Sequence, residues 1–241
     1  MKGHGTSKAN LCRAYDLGLI GYEKALQWQG QLVKARLANT LPDTILFLQH
    51  PPVLTIGVSG GEENIVVSKD VLANDGVALV HTDRGGNITC HEPGQLVGYP
   101  IFNLNTKGKD LHQYVRNLEE VIIRTLCDYS IFAHRNSKHP GVWVGEGNIC
   151  ALGIRVTKWV TKHGFALNIN NELECFSYVH PCGVINGSVT SMSRLLNHKL
   201  MIEDVILCII KHCSEVFNIT IELESPEHLW EALCGAGFHH G

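Results

Sequence analysis

The spacing of apolar residues predicts three long amphipathic helices. Apolar positions recur every three or four residues across residues 22–34, 110–126 and 202–217, which is the period of a helix with one buried face. The second pattern is the clearest, because its apolar positions follow one face without a break. Ser68 as an N-cap and Gly76 as a stop predict a shorter helix between them.

Short β-rich stretches that end at proline, glycine or polar turns predict strands. They cover residues 44–48, 53–56, 77–81, 96–102, 141–145, 149–156, 165–169 and 219–223. Residues 83–93 are predicted as a glycine-containing loop, and residues 146–148 as the turn of a hairpin. Helices and strands follow one another in mixed order without regular βαβ alternation, so the prediction is an α+β fold.

The composition predicts one folded domain with a substantial core. Of the 241 residues, 44% are hydrophobic and 18% are charged. This composition excludes a disordered chain and allows folding without metals or disulfide bonds. We expect a flexible tail at residues 1–14 and a single domain at 15–241. The net charge of −3 argues against a nucleic-acid-binding protein. Because the chain lacks an apolar run of about 18 residues and a signal peptide, we expect a cytoplasmic protein without a membrane span.

The nine cysteines are odd in number, irregularly spaced and without a C-x-x-C pair. This pattern argues against a disulfide framework and against a four-cysteine zinc site. Cys127, Cys208 and Cys213 lie in apolar stretches, which predicts that they are small buried core residues.

Three segments carry glycines and polar groups that a core does not require. In residues 84–95 (RGGNITCHEPGQ) the paired glycines allow backbone N–H groups to approach a ligand, although a tight turn is the ordinary interpretation of Gly-Gly alone. In residues 153–168 His163 precedes Gly164, where a histidine more often satisfies a backbone group. In residues 180–183 (HPCG) a rigid bend presents Cys182 beside N–H groups that can stabilise an oxyanion.

Cys182 is the leading candidate for a nucleophile. An unperturbed thiol, with a pKa near 8.5, is only about 3% thiolate at pH 7, so it needs a basic neighbour. Cys90 competes because it lies beside His91, and a buried structural role for Cys182 stays open. The residues alone favour a cysteine-dependent acyl transferase or hydrolase. The rival hypothesis is a metal site built from His91, His163, His180 and Cys182.

Several stretches are more informative together than singly. They are QHPPVLTIG (49–57), RGGNITCHEPGQLVGYP (84–100), YVRNLE (114–119), GVWVG (141–145), ICALGIR (149–155), HGFALN (163–168), PCG (181–183) and VTS (189–191). In this order, from about Tyr15 to Leu196, they resemble the lipoyl(octanoyl) transferase family, also called lipoate–protein ligase B. Colinear motifs at this density are far more specific than any one of them.

The resemblance implies a mixed β-sheet flanked by helices, as in the catalytic domain of biotin and lipoate ligases. It implies transfer of an octanoyl group from octanoyl–acyl carrier protein to a lysine of a lipoyl domain. The acceptors are the E2 subunits of 2-oxoacid dehydrogenases and the glycine-cleavage H protein. No cofactor, metal or ATP is implied, because the thioester donor is already activated.

The resemblance also implies the site residues. Cys182 falls at the family's nucleophile, which carries an acyl-thioester intermediate. The positions that line the acyl site are Arg84, Gly85, Gly86, Asn87, Ile88, Thr89, Cys90, His91, Ala151, Leu152, Gly153, Gly164, Phe165 and Ala166.

The sequence departs from the family pattern at two positions. Where the family has a lysine that lowers the pKa of the nucleophilic cysteine, this chain has Asn148, whose amide carries no charge. The family's HGPG is HEPG here, and the Glu92 carboxylate disfavours a thiolate unless it points away or pairs with a base. His91, Lys158 or Lys162 can replace the missing base, and we include His91 and Asn148 in the predicted catalytic set.

Two further alternatives follow from Asn148. Backbone donors and His91 can activate the thiol without a lysine, so that Asn148 suffices. Otherwise the chain is a catalytically impaired homologue that binds the acyl group or its carrier. For the acidic acyl carrier protein we expect a basic surface, with Arg116, Arg124, Arg135 and Lys138 as candidates, although solvent-facing roles explain them equally well.

Overall fold

The chain folds around a mixed β-sheet. The computed structural model describes residues 10–137, 140–180 and 188–237. Within them the strands are β1 (Leu11–Leu19), β2 (Asp43–Gln49), β3 (Val53–Ile56), β4 (Ala78–His81), β5 (Ile88–His91), β6 (Gln95–Ile101), β7 (His134–Arg135), β8 (Gly141–Val144), β9 (Gly147–Thr157), β10 (Val160–Asn168), β11 (Ser188–Val189) and β12 (Thr220–Glu224). The helices are α1 (Tyr22–Leu37), α2 (Lys69–Asn74), α3 (Leu111–Asp128), α4 (Met192–Leu196), α5 (Ile202–Phe217) and α6 (Pro226–Gly235).

The main sheet has the strand order β12-β1-β2-β6-β10-β9-β8-β7, and β11 also pairs with β9. Strands β12 and β2 run parallel to β1, whereas β6, β10, β9 and β8 run antiparallel to their neighbours in this order. Strand β11 runs parallel to β9. A second sheet has the order β4-β3-β5. The predicted α+β class, with a mixed sheet flanked by helices, is confirmed.

Two apolar cores lie on opposite faces of the main sheet. Ile45 and Phe47 of β2 belong to the core that contains apolar residues of α3 and α5, whereas Leu46 and Leu48 belong to the core that contains those of α1 and α6. Successive side chains of a strand point to opposite faces, so a strand covered on both sides is apolar throughout. The central strands are therefore buried on both faces.

The predicted helices are all present. The Asp110 side chain accepts a hydrogen bond from the Gln113 N–H at the start of α3, and Ser68 accepts one from the Val71 N–H at the start of α2. Helix α1 continues to Leu37, and α4 and α6 are additional short helices without a predicted pattern. None of the helices in the described part of the chain is both long and apolar enough to cross a bilayer.

Two strands correct the predicted boundaries. Strand β1 begins at Leu11, so residues 11–14 belong to the sheet and not to a flexible tail. These residues form a strand because β1 pairs with β2 on one side and with β12 on the other. Strand β5 lies inside the predicted loop at 83–93, because it pairs with β3 through contacts that the local sequence does not reveal.

The structure contains a disulfide that the cysteine pattern did not predict. It joins Cys90 of β5 to Cys175 in the 3₁₀ turn Glu174–Tyr178, with Cα atoms 6.0 Å apart. The prediction of buried core cysteines is correct for Cys213 and wrong for Cys127, which is exposed, and for Cys208, which is half-buried.

Candidate active site

A pocket lies where the loop before β5 faces strands β6, β9 and β10. The space in it that is open to the centre of a water-sized sphere is about 60 Å³, so the pocket is narrow in this structure. The residues that line it are Tyr22, Arg84, Gly86, Asn87, Ile88, Thr89, His91, Val97, Tyr99, Pro140, Ala151, Leu152, Gly153, His163, Gly164, Phe165 and Ala166.

The pocket brings together the predicted acyl-site residues with two exceptions, Gly85 and Cys90. The Gly85 N–H donates to the carbonyl of Ile154 over 3.0 Å, which ties the loop to β9. Cys90 is fully buried and bonded to Cys175. The disulfide removes Cys90 as a competing nucleophile.

Arg84 fixes the course of the loop. Its buried guanidinium donates to Thr55 Oγ1 over 3.1 Å from Nε and to the Gly85 carbonyl over 3.1 Å from Nη1. Gly153 permits the close approach, since a Cβ there would lie 2.9 Å from the Gly85 carbonyl oxygen. Gly86 adopts a φ of +88°, a conformation that favours glycine.

The strand side of the pocket is largely apolar. Val97 of β6, Ala151 of β9 and Ala166 of β10 line it, whereas the side chains of Leu152 and Phe165 pack with the core that contains α3 and α5 residues. The Phe165 ring lies over Gly98, its partner on β6, where any side chain would overlap the ring. An aliphatic chain placed against the strand side of the pocket would be removed from water, which favours binding.

His91 is a buried, neutral imidazole in the pocket wall. Its Nδ1 lies 2.8 Å from Gln95 Oε1. The Gln95 amide nitrogen donates to the Cys90 carbonyl and to Asn168 Oδ1, which identifies Oε1 as an acceptor. The His91 proton therefore lies on Nδ1, and Nε2 carries the lone pair. Burial, reinforced by the neighbouring His50, lowers the pKa of His91 well below its usual value.

His163 is a second neutral histidine in the pocket. Its Nε2 lies 2.8 Å from Asp83 Oδ1, and burial lowers the pKa of His163 to about 4 despite this carboxylate. Burial alone would raise the pKa of Asp83, but hydrogen bonds from His163 and Lys162 hold it at about 2. Lys162 is thus engaged by Asp83 at 3.0 Å, and Lys158 is exposed in the turn between β9 and β10. Neither lysine lines the pocket.

A bulge in β9 places Asn148 on the pocket side of the sheet. Asn148 and Cys150 pair with two consecutive residues of β8, Trp143 and Val142. Ile149 therefore has no partner on β8 and is the extra residue of the bulge. Ile149 and Cys150 both enter the core that contains α3 and α5 residues, which leaves Asn148 on the face of Ala151. The buried Asn148 amide donates to the carbonyls of Val142 (3.4 Å) and Cys150 (3.3 Å).

Glu92 binds the turn at Glu174–Tyr178 and does not line the pocket. Its Oε1 accepts hydrogen bonds from the Leu173 N–H (2.9 Å) and the Asn171 side-chain amide (3.0 Å). Its Oε2 accepts from the Cys175 N–H at 3.4 Å. The carboxylate is therefore satisfied by these donors.

Cys182 lies in the segment 181–187, outside the described residues. On one side of this segment, the His180 N–H donates to the carbonyl of Asn64 over 2.9 Å. On the other side, β11 pairs in parallel with Gly147 and Asn148 of β9, and the Thr190 N–H donates to the Asn148 carbonyl over 3.0 Å. The chain that leaves the Cys182 segment thus returns beside Asn148.

The comparison with known proteins extends over nearly the whole chain. The catalytic-domain family described as "Lipoyl protein ligase A/B catalytic domain" matches residues 21–214. An octanoyltransferase from Caldicellulosiruptor saccharolyticus is 48% identical over 228 residues, which cover 94% of this chain and 96% of the relative. The chain belongs to the lipoyl(octanoyl) transferase family. It is therefore an acyltransferase.

Solved structures share the fold of this family member at lower identity. A bipartite lipoate protein ligase from Thermoplasma acidophilum is 17% identical with a TM-score of 0.72, covering 94% of this chain and 91% of that one. A biotin protein ligase from Aquifex aeolicus is 13% identical with a TM-score of 0.52, covering 86% of this chain and 69% of that one. Both support the ligase-like catalytic fold.

The aromatic wall of this transferase pocket was missed by sequence reasoning. Tyr22 of α1 stacks on His91 with ring centroids 5.8 Å apart. His50 Nδ1 donates to the Ile20 carbonyl, and its Nε2 accepts from the Tyr99 hydroxyl over 2.8 Å. His50 belongs to the QHPPVLTIG stretch, which was the available signal. The predicted metal site gains no support, because the described residues do not group His91, His163 and His180 as metal ligands.

Proposed function

We propose that this chain transfers an octanoyl group from octanoyl–acyl carrier protein to a lysine of lipoyl domains, through a thioester on Cys182. The observation that carries the proposal is the apolar pocket, to which the predicted acyl-site residues converge from three strands and a loop. The 48% identity to an octanoyltransferase supports the choice of acyl group. The acceptors are E2 lipoyl domains and the glycine-cleavage H protein, in line with the E2 lipoyl domain that accompanies the archaeal ligase.

The reaction has two acyl-transfer steps. In the first, the Cys182 sulfur bonds to the octanoyl carbonyl carbon, the carbon–sulfur bond to the carrier breaks, and the carrier thiol leaves with a proton. In the second, the acceptor lysine amine forms an amide with the same carbon, and the Cys182 thiol is released. Backbone N–H groups near Gly183 are the proposed oxyanion donors, and Asn148 joins them only if its amide gives up a hydrogen bond to the carbonyl of Val142 or Cys150.

His91 is the best-supported base for the Cys182 proton. It lines the pocket, and its Nδ1 proton is fixed by Gln95, so the Nε2 lone pair is the one left to accept a proton. The depressed pKa makes the imidazole a weak base that is ready in its neutral form at pH 7. Lys162 is held by Asp83, so it does not supply the missing ammonium group.

The second candidate function is a homologue that binds the acyl group or its carrier with little turnover. Asn148 favours it, because both hydrogens of its amide are directed to hairpin carbonyls and it carries no charge. The basic surface proposed for carrier binding is also partly neutralised. Arg124 pairs with Glu120 at 2.9 Å, and Arg135 pairs with Glu119 and Glu120 at 3.2 and 2.6 Å.

Intact mass spectrometry after incubation with octanoyl–acyl carrier protein tests the proposal. We expect the mass of one octanoyl group on the wild-type chain and on Cys234→Ser, which removes an exposed cysteine of α6, but not on Cys182→Ser. Addition of a lipoyl domain should discharge the adduct onto the domain. A folded wild-type chain that binds the carrier but never forms the adduct would support the binding-only function.

A further inference from the structure

A cluster of metal-ligand residues joins α3 to α5 outside the pocket. Asp128 ends α3, and Cys208 and His212 lie four residues apart on α5, hence on one face of that helix. Asp128 Oδ2 lies 3.3 Å from Cys208 Sγ and 2.9 Å from His212 Nε2. One ligand atom of each residue lies within 4.8 Å of the other two. None of the three lines the pocket.

We propose that Asp128, Cys208 and His212 form a zinc site that links the end of α3 to α5. Thiolate sulfur, imidazole nitrogen and carboxylate oxygen are the ligand types that Zn²⁺ binds in tetrahedral geometry. On binding, the Cys208 proton passes to solvent and the sulfur–zinc bond forms without any change of oxidation state. Water takes the fourth position.

Two of the three ligand separations are close to those of a tetrahedral site, and the third, between Cys208 Sγ and His212 Nε2, is at most 4.8 Å. Tetrahedral zinc bonds of roughly 2.0–2.3 Å place nitrogen and oxygen ligands roughly 3.4 Å apart, and sulfur and oxygen ligands roughly 3.6 Å apart. The observed separations of 2.9 and 3.3 Å therefore have to widen by roughly half an ångström or less.

The surroundings also favour a cation. Asp128 is the last residue of α3, where the helix dipole disfavours a carboxylate. His212, Cys208 and Lys211 now offset this by donating to Oδ2, and a bound cation would replace these donors. His212 is buried, and its Nδ1 lies 3.4 Å from Glu215 Oε2. Nε2 donates to Asp128 over 2.9 Å in the present structure, so this proton leaves Nε2 when zinc binds there. An Nδ1–H donated to Glu215 then supports the zinc-bound imidazole.

Lys211 forms an ion pair with the Asp128 carboxylate in the present structure. Its Nζ lies 3.2 Å from Asp128 Oδ2, and its side chain is 58% exposed. A flexible, exposed ammonium can swing into solvent when a divalent cation binds. Lys211 is therefore a competitor for Asp128, and its removal should strengthen zinc binding.

Zinc binding to the chelator-treated full chain tests the site. We expect one equivalent of zinc after dialysis against a low concentration of zinc chloride, and a thiolate-to-metal absorption band when Co²⁺ replaces Zn²⁺. Both should be lost in Cys208→Ala and Asp128→Asn and kept in Cys234→Ala, the matched control with an exposed cysteine removed. The metal should raise the thermal midpoint of the wild type and not that of Cys208→Ala.

Two results would overturn the site. One is a wild-type chain that retains no stoichiometric zinc; the other is a folded Cys208→Ala that retains as much zinc, and the same cobalt band, as the wild type. If Cys208→Ala does not fold, Lys211→Met decides: a severalfold gain in zinc affinity supports the site, and an unchanged affinity overturns it. None of these measurements depends on octanoyl transfer.

Discussion

The Glu92 carboxylate accepts a hydrogen bond from the Leu173 backbone N–H over 2.9 Å. This contact links the loop after β5 to the turn at Glu174–Tyr178, which precedes the segment that carries Cys182. The Cys90–Cys175 disulfide fastens the same two parts of the chain. Glu92 departs from the family pattern, and its carboxylate has a structural role as the acceptor for this N–H group.

Replacement of Glu92 by the family's glycine should destabilise the protein. Glu92→Gly leaves the buried N–H of Leu173 without its acceptor and removes one of the two acceptors of the Asn171 amide, at a cost of about 1–3 kcal/mol in the free energy of unfolding. Glu92→Gln is the matched control, since its amide oxygen preserves an acceptor and the loss should be smaller. Urea denaturation measures both. Equal stability of wild type and Glu92→Gly would contradict the structural role.

Asn148→Lys should increase the rate of Cys182 acylation. An ammonium group beside a thiol lowers its pKa by about 1–3 units, which from about 3% thiolate at pH 7 corresponds to roughly tenfold or more in reactive thiolate. Asn148→Met controls for side-chain length without charge. The pH dependence of Cys182 alkylation reports the thiol pKa directly. No gain, or a loss in a folded variant, would refute the explanation based on the missing lysine.

Removal of the His91 imidazole should slow acylation without abolishing acyl binding. General base catalysis contributes about 10²–10⁴-fold, so His91→Gln should lose at least the lower of these factors in a single turnover. His163→Gln tests the other neutral histidine of the pocket, which is held by Asp83. A large loss in His163→Gln together with a small loss in His91→Gln would transfer the role of base to His163.

The Cys90–Cys175 disulfide should be detectable by counting thiols. In denaturant without reductant, we expect two fewer reactive thiols than the nine cysteines, and all nine after reduction. Because the bond closes a loop of 85 residues, Cys90→Ser should lower the free energy of unfolding by about 2–5 kcal/mol. Reductant should destabilise the wild type and leave Cys90→Ser unchanged. Nine reactive thiols without reductant would show that the two cysteines are not bonded.

Stability should fall as the pH drops from about 6.5 to 4. Burial lowers the pKa of His50 and of His163 to about 4, whereas an unfolded histidine titrates near 6.5. In this window the unfolded chain binds more protons, so the stabilisation is complete above about pH 6.5 and declines toward pH 4. Each of these shifts corresponds to about 3 kcal/mol.

Urea denaturation between pH 7.5 and 4 checks this dependence. His50→Asn should reduce the slope by up to about 1.4 kcal/mol per pH unit. His112→Asn, at an exposed position of α3, should leave the slope unchanged. A wild-type stability that does not vary across this range would contradict the buried neutral state of these histidines.

Local sequence patterns were enough to predict helices α1, α2, α3 and α5, the fold class and the family. The period of apolar residues in α3 and α5 is local, because one face of a helix is buried whatever it packs against. The glycine-rich loop and the strands β9 and β10 were likewise located by their motifs. Their convergence on one pocket is consistent with the family resemblance, while their roles in binding remain predictions.

The distribution of side chains about the sheet depends on long-range packing. Strict alternation places residues three apart on opposite faces, yet the bulge at Ile149 brings Asn148 to the face of Ala151. Strands β1 and β5 likewise exist because distant strands supply their hydrogen bonds. Cys90 and Cys175 meet across 85 residues for the same reason. Contacts of this range depend on the whole chain packing at once, and no local pattern encodes them.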